Sequence, residues 1–173
     1  FLDPWADPFN EGFQLTQALI AVGRGEWFGV GLGASVQKLF YLPEAHTDFI
    51  LAVIAEELGF FGVLLVIALF AWLVGCGLRI GLRALERGQR FGGYCAFGVS
   101  LMLAIQALVS IGVNLGVLPT KGLTLPLISS GGSSVLMTCA AIGLLARVSY
   151  ELTRAEDAAA QAVSSPESPG EAE

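Results

Sequence analysis

The chain has 173 residues, of which 54% are hydrophobic and only 14% are charged, and its formal net charge is −6. A soluble domain carries about 25% charged residues, so this composition excludes an ordinary water-soluble domain and indicates lipid as the solvent. The acidic balance comes from the end of the chain, because residues 155–173 contain five acids and no base. No basic stripe interleaved with aromatic residues is present, which excludes nucleic acid as a partner.

Residues 1–48 read as neither a membrane span nor an ordinary loop. Two Asp-Pro pairs and a run of glycines between positions 23 and 33 interrupt regular structure. Between them, residues 13–21 have apolar side chains at helical spacing, which predicts a short helix at the membrane surface. Because the chain starts at Phe1 and shows no leader pattern, we expect that an N-terminal portion precedes it.

Three later stretches are long and apolar enough to cross a bilayer, which takes about 20 helical residues. The predicted spans are about 49–78, 91–118 and 132–150, and the approach to the third is irregular because of Pro126 and the glycines that follow. Residues 153–173 are rich in Ala, Ser, Pro and Glu and are expected to form a disordered acidic tail. The fold class predicted is an all-α integral membrane protein.

The arginines predict the orientation of the spans. Four lie between the first and second spans and two, Arg147 and Arg154, lie at and beyond the end of the third, whereas the connection 119–131 contains only Lys121. Short cytoplasmic loops are enriched in Lys and Arg, so the arginine-rich loop and the C-terminus should be cytoplasmic. Residues 1–48 and the connection 119–131 then face the periplasm or the cell exterior together.

The sequence Leu-Pro-Glu-Ala-His-Thr-Asp-Phe at 42–49 places ionisable side chains at the mouth of the first span. One interpretation is helix capping, because Thr47 or Asp48 can accept a hydrogen bond from a first-turn N–H and favours the positive helix end. The functional interpretation makes Asp48 a general base, with His46 positioning it or a ligand. The two interpretations are compatible, since a capping carboxylate can still face a cavity.

Glu56 and Glu57 lie inside the first span, where a charge is costly and usually faces a cavity or a partner. Neighbouring helical residues are about 100° apart, so the two carboxylates cannot share one narrow face. We expect a structural pairing with an arginine on a helix that this sequence lacks. A direct substrate role is the alternative.

The connection from Asn114 to Ser134 contains two prolines and several glycines at membrane depth. Such irregular backbone is tolerated only where it is buried in protein or lines a cavity. The structural interpretation is a re-entrant turn in which Ser129 and Ser130 cap the last helix. The functional interpretation uses the ammonium group of Lys121, which suits a phosphate and is predicted to face the same side as Asp48.

Taken together, these residues resemble the SEDS family of integral membrane proteins (shape, elongation, division and sporulation). The match covers about residues 1–152 and is carried by the segment 2–33 with its Asp-Pro and Gln residues, by 42–49 with Ala-Glu-Glu-Leu-Gly at 55–59, and by 118–134. The residues around Lys121 resemble those of the division member of the family more than those of the elongation member. One departure is Ser130, where the family more often has Tyr.

The resemblance implies the last three transmembrane helices of a ten-helix polytopic fold, with a large extracellular loop before them. It implies a peptidoglycan glycosyltransferase that polymerises lipid II, an undecaprenyl-diphosphate-linked disaccharide peptide, into glycan strands during cell division. The implied location is the bacterial inner membrane at the septum, and the implied partners are a class B penicillin-binding protein and other division proteins. This fragment alone is expected to be inactive.

By the same resemblance, the family's essential aspartate corresponds to Asp48 and its loop lysine to Lys121. Further candidate substrate-binding residues are His46, Gln17 and Ser129. A lipid diphosphate is already a good leaving group, so one base and one cationic group suffice for its transfer. No cofactor is assigned, although a divalent cation such as Mg²⁺ or Mn²⁺ could stabilise the diphosphate. Two alternatives stay open: a lipid II flippase or transporter, and a non-catalytic scaffold for division proteins.

Overall fold

The computed structural model describes residues 13–31, 33, 49–118 and 124–164, and all regular structure within these ranges is helical. The helices in chain order are α1 (Phe13–Arg24), α2 (Ile50–Glu86), α3 (Arg90–Asn114) and α4 (Gly132–Ser164). The last three of these are long and apolar enough to cross a membrane. The predicted all-α membrane architecture with three spans is therefore confirmed for the part of the chain that the structure describes.

Two of the spans continue as helices beyond their predicted ends. α2 extends to Glu86 and carries arginines in its last turns. The sequence predicts disorder from residue 153 onward, whereas α4 continues as a helix to Ser164. Its extension is rich in Ala, which has the highest helix propensity, and Glu156 forms an ion pair with Arg87 at the end of α2. Residues 165–173 lie outside the described ranges.

The helices pack mainly through small residues. α2 and α3 make the most extensive contact, α1 packs chiefly on α2, and α4 packs chiefly on α3. A Cβ at Gly77 of α2 would lie 2.1 Å from the Oγ of Ser100 on α3, so only glycine permits this approach. Small residues commonly allow membrane helices to come this close. Many large apolar side chains consequently point outward, as Trp72 does with 75% of its surface exposed.

α2 is broken close to its start. Gly59 has φ 68° and ψ −161°, which is far from helical geometry. The break separates residues 50–58, which we call the short half-helix, from residues 60–86, which form the longer part of the span. The short half-helix follows directly after the segment 42–49 that the sequence analysis marked as functional.

The backbone groups freed by this break are satisfied by residues 26–31, which follow α1. Hydrogen bonds run in both directions between the two segments: Val30 N–H to Glu56 O (2.9 Å), Gly31 N–H to Glu57 O (3.1 Å), Phe60 N–H to Glu26 O (3.0 Å) and Phe61 N–H to Trp27 O (3.4 Å). An open helix turn at membrane depth is stable only if neighbouring protein supplies such partners.

Two glycines make this close approach possible. Both have positive φ, 77° at Gly29 and 68° at Gly59. A Cβ at Gly29 would lie 2.1 Å from the carbonyl oxygen of Glu57, and a Cβ at Gly59 would lie 2.4 Å from the nitrogen of Gly29. The glycine-rich stretch therefore has a definite structural task, which is to close the broken span.

Candidate functional site

Of the candidate site residues, the structure describes Gln17 and Ser129, while Asp48, His46 and Lys121 lie outside the described ranges. Gln17 is half-buried on α1. The described residues nearest to Asp48 in the sequence are those at the start of α2. Those nearest to Lys121 are the residues at the end of α3 and residues 124–131.

The start of α2 is firmly packed. Phe49, which directly follows Asp48, is 2% exposed. It belongs to a buried apolar cluster with members from three elements: Ala18 and Ala21 of α1, Ala52 and Val53 of α2, and Val113 of α3. The backbone next to the candidate base is therefore fixed against both α1 and α3.

Asn114 adds a polar contact to this packing. Its Oδ1 accepts a hydrogen bond from the N–H of Ala52 at 3.2 Å, and its Nδ2 donates to the carbonyl of Ser110 at 2.9 Å. The same N–H also donates to the carbonyl of Phe49 at 3.0 Å, so α3 adds a side-chain acceptor to the first turn of α2. Thr47 and Asp48, the residues predicted to cap this helix, lie outside the described ranges. Sequence reasoning did not assign Asn114 a role; its signal was an amide at the end of an uncharged span.

Ser129 is used to hold the loop before α4. It is 2% exposed, its Oγ accepts from the N–H of Leu125 at 2.9 Å, and its own N–H donates to the carbonyl of Leu125 at 3.1 Å. These two bonds close a turn at 125–129. They agree with the interpretation of a re-entrant turn, in which the hydroxyl of Ser129 accepts a hydrogen bond within the turn. Substrate binding by Ser129 stays a prediction.

The same loop is attached to its neighbours by further hydrogen bonds. Gln106 of α3 donates from Nε2 to the carbonyl of Thr124 at 3.2 Å. The hydroxyl of Thr124 in turn donates to the Oγ of Ser134 in the first turn of α4 at 2.9 Å. The loop that follows Lys121 is therefore tied to both α3 and α4.

The carboxylates inside α2 differ from each other. Glu56 is fully buried and its Oε1 lies 3.6 Å from Nη1 of Arg24, at the end of α1. The expected arginine partner is thus present in this chain and not on an absent helix, a pairing that the sequence could not reveal because it joins separate elements. The Oε1 of Glu57 is buried and has no hydrogen-bond partner among the residues that the structure describes.

A cavity of about 210 Å³ lies beside the short half-helix. Its polar lining residues are Glu26 and Asn114, and the remainder of the lining is apolar, including Ala52, Ala55 and Phe60. Ligand pockets usually measure about 300–1,000 Å³, so this cavity is too small for a lipid-linked disaccharide. It does leave the short half-helix with empty space on one side.

No cluster of three or more His, Cys, Asp or Glu residues that could hold a metal ion occurs within 13–31, 33, 49–118 and 124–164. The described residues therefore assign no ligands to Mg²⁺ or Mn²⁺. A divalent cation at the diphosphate stays a prediction.

Residues 1–154 match the sequence-family model FTSW_RODA_SPOVE, described as "Cell cycle protein". Among similar curated proteins is the "Probable peptidoglycan glycosyltransferase FtsW" of Xanthomonas oryzae pv. oryzae, 67% identical over 156 residues, which are 90% of this chain and 32% of the relative. The protein of the same name from Thioalkalivibrio sulfidiphilus is 64% identical over 151 residues, 87% of this chain and 38% of the relative.

A similar solved structure is a chain from "Structural coordination of polymerization and crosslinking by a peptidoglycan synthase complex". The alignment has a TM-score of 0.66 and 33% sequence identity, and it covers 87% of this chain and 40% of that chain. The chain thus spans between 32% and 40% of the length of these proteins.

Proposed function

Because the chain belongs to the FtsW/RodA/SpoVE family of cell cycle proteins, we propose that it forms part of a peptidoglycan glycosyltransferase that polymerises lipid II during cell division. The relatives named for this transferase match at 67% and 64% identity. The structural observation that carries the proposal is the fixed start of α2. The backbone beside Asp48 is packed against α1 and α3, as a catalytic base that must be held in place requires.

In the proposed reaction, the carboxylate of Asp48 takes the proton from the sugar 4-hydroxyl of one lipid-linked molecule. The hydroxyl oxygen then attacks the anomeric carbon of the sugar on a second lipid-linked chain. The bond between that carbon and the diphosphate oxygen breaks, and the undecaprenyl diphosphate leaves with the bonding electrons. The ammonium group of Lys121 stabilises the charge that develops on the diphosphate.

A single carboxylate is sufficient for this chemistry. Glycoside hydrolases use two carboxyl groups because one must protonate a poor alkoxide leaving group. A diphosphate leaves without protonation, so a base on the acceptor side and a cation on the donor side complete the site. Gln17, His46 and Ser129 are the further residues proposed to contact substrate.

The proposed partners are a class B penicillin-binding protein and other division proteins at the septum of the inner membrane. The solved structure similar to this chain belongs to a complex whose description joins polymerisation with cross-linking. A polymerase that works beside a cross-linking enzyme produces the glycan strands which that enzyme then connects.

A lipid II flippase is the second candidate function. It is favoured by one observation, the break in α2 beside the buried Glu56, because broken helices with buried carboxylates also line transport pathways. A flippase, however, depends less on one carboxylate at the outer end of a span. A non-catalytic scaffold, the third alternative, requires no carboxylate there.

The test uses a purified full-length polymerase that contains this chain, with its class B partner, and measures glycan length on gels after incubation with lipid II. Replacing Asp48 by Ala should lower the rate roughly 10²–10⁴-fold, the usual contribution of a general base. Asp157→Ala, which removes an exposed carboxylate on α4, is the matched control and should retain the wild-type rate.

Each alternative predicts a different result of this experiment. Full polymerisation by the Asp48→Ala variant would show that Asp48 is not the base and would favour transport with polymerisation elsewhere. Absence of polymerisation by every preparation of the unchanged protein, with normal recruitment of the partner, would favour the scaffold.

A further inference from the structure

One buried amide joins the start of α2 to the end of α3. Asn114 is 1% exposed and uses both its acceptor and its donor, toward the N–H of Ala52 and the carbonyl of Ser110. The second bond fixes the rotamer of the amide on its own helix, so the first bond has a fixed direction. The N–H of Ala52 also donates to the carbonyl of Phe49 at 3.0 Å, so Asn114 is a second acceptor for this N–H and comes from another helix.

The short half-helix depends on such contacts because the break at Gly59 uncouples it from the rest of α2. Its far end, at Glu56 and Glu57, is held by the hydrogen bonds from residues 26–31. Its near end, next to Asp48, is held by packing and by Asn114. The cavity of about 210 Å³ borders this near end at Leu51 and Ala52.

Asn114 is also the last residue of α3, and the connection that follows it contains Lys121. Asn114 thus connects the short half-helix, which follows the proposed base in the sequence, to the end of α3, which precedes the proposed diphosphate-binding cation. An apolar residue of similar size could fill the same volume. A buried polar group adds direction to the contact, which apolar packing lacks.

The geometry points to Asn114 as a positioning residue for glycosyl transfer. It holds the short half-helix, which directly follows Asp48 in the sequence, against the end of α3, after which comes the connection with Lys121. This inference rests on the proposed function, because it requires both of these residues to act on lipid II.

The test compares Asn114→Leu, which keeps the volume and removes both hydrogen bonds, with Asn114→Asp, which keeps the acceptor for Ala52. Both are made in the full-length polymerase with its partner, and kcat and KM for lipid II are measured. Misplacing a catalytic group by about 1 Å costs on the order of 10²-fold, so Asn114→Leu should lower kcat roughly 10- to 100-fold with little change in KM. Asn114→Asp should also lower kcat, because a carboxylate cannot donate to the carbonyl of Ser110 and the rotamer is then no longer fixed.

The matched control is Ser100→Ala. Ser100 is a fully buried polar residue on the same helix that contacts α2, but its Oγ donates only to the carbonyl of Ala96 at 2.7 Å. Its removal leaves the start of α2 untouched, so kcat should remain near that of the unchanged protein. Thermal unfolding of every variant is recorded, and Asn114→Ser replaces the leucine variant if the latter does not fold.

Three results would overturn the inference: an unchanged kcat in Asn114→Leu, a rise in KM alone, or an unchanged kcat in Asn114→Asp. Asp48→Asn, assayed in parallel, separates this failure from that of the proposed function. If Asp48→Asn is inactive while Asn114→Leu keeps its kcat, only the positioning role is wrong. If Asp48→Asn is fully active, the proposed base is wrong and the positioning role is lost with it.

Discussion

The pairing of Arg24 with Glu56 shows how a single residue can determine whether a carboxylate is tolerated inside a span. Glu56 is fully buried, while the side chain of Arg24 keeps 49% of its surface exposed. The carboxylate therefore bears most of the desolvation cost, and the arginine offsets it from the membrane surface. Neither residue alone indicated the pair, because Arg24 reads as an ordinary basic residue at a helix end.

We expect Arg24→Ala to destabilise the protein more than Glu56→Gln does, because it leaves a buried charge without its partner. The coupling between the two positions should be about 1–3 kcal/mol, reduced from that of a fully buried pair by the exposure of Arg24. Thermal unfolding in detergent of both single variants and the double variant measures this coupling. Strictly additive effects would contradict it.

The ion pair of Arg147 and Glu151 on α4 provides the control for this cycle. Its atoms lie 2.9 Å apart, but the side chains are 63% and 49% exposed. An exposed pair of this kind contributes about 0.2–1 kcal/mol. Its coupling should therefore be the smaller of the two despite the shorter distance.

At the scale of the element, the break in α2 is the feature that hydropathy could not reveal. The apolar pattern predicts where spans two and three lie, because burial in lipid needs only composition and length. The break depends on hydrogen bonds between residues 26–31 and 56–61, which are remote in sequence. The glycine-rich stretch indicated irregular backbone, but its partner segment could be identified only in three dimensions.

We expect Gly59→Ala to destabilise the full-length protein by about 1–3 kcal/mol and to lower glycan synthesis with it. An added Cβ at this position meets the strained φ of 68° and the backbone of Gly29 and Trp27. Gly75→Ala on the same helix is the matched control, because a Cβ there has no atom within 4 Å. Equal thermal midpoints for the two variants would show that the break is not required.

For the molecule as a whole, the sequence predicted the spans better than it predicted the contacts between the helices. Motif wording identified Asp48 and Lys121, but Asn114 and Arg24 act through partners on other helices, and such pairings leave no pattern along one chain. Ser129 was identified by its motif, yet the structure shows its hydroxyl holding a turn. For the geometry of the candidate site, the contacts between helix ends therefore matter more than any single motif residue.

The contacts of Asn114 and Gln106 place the start of α2, the end of α3 and the start of α4 at one end of the molecule, and the arginine-rich ends at the other. From the positive-inside rule we expect the first end to be non-cytoplasmic. We expect a membrane-impermeant maleimide to label Val117→Cys, a position 70% exposed after α3, in intact spheroplasts. Arg154→Cys, exposed on α4, should be labelled only after lysis. Both variants are made in a protein in which Cys76, Cys95 and Cys139 are replaced by Ala. The reverse labelling pattern would place the proposed base on the cytoplasmic side and would contradict its role in polymerisation.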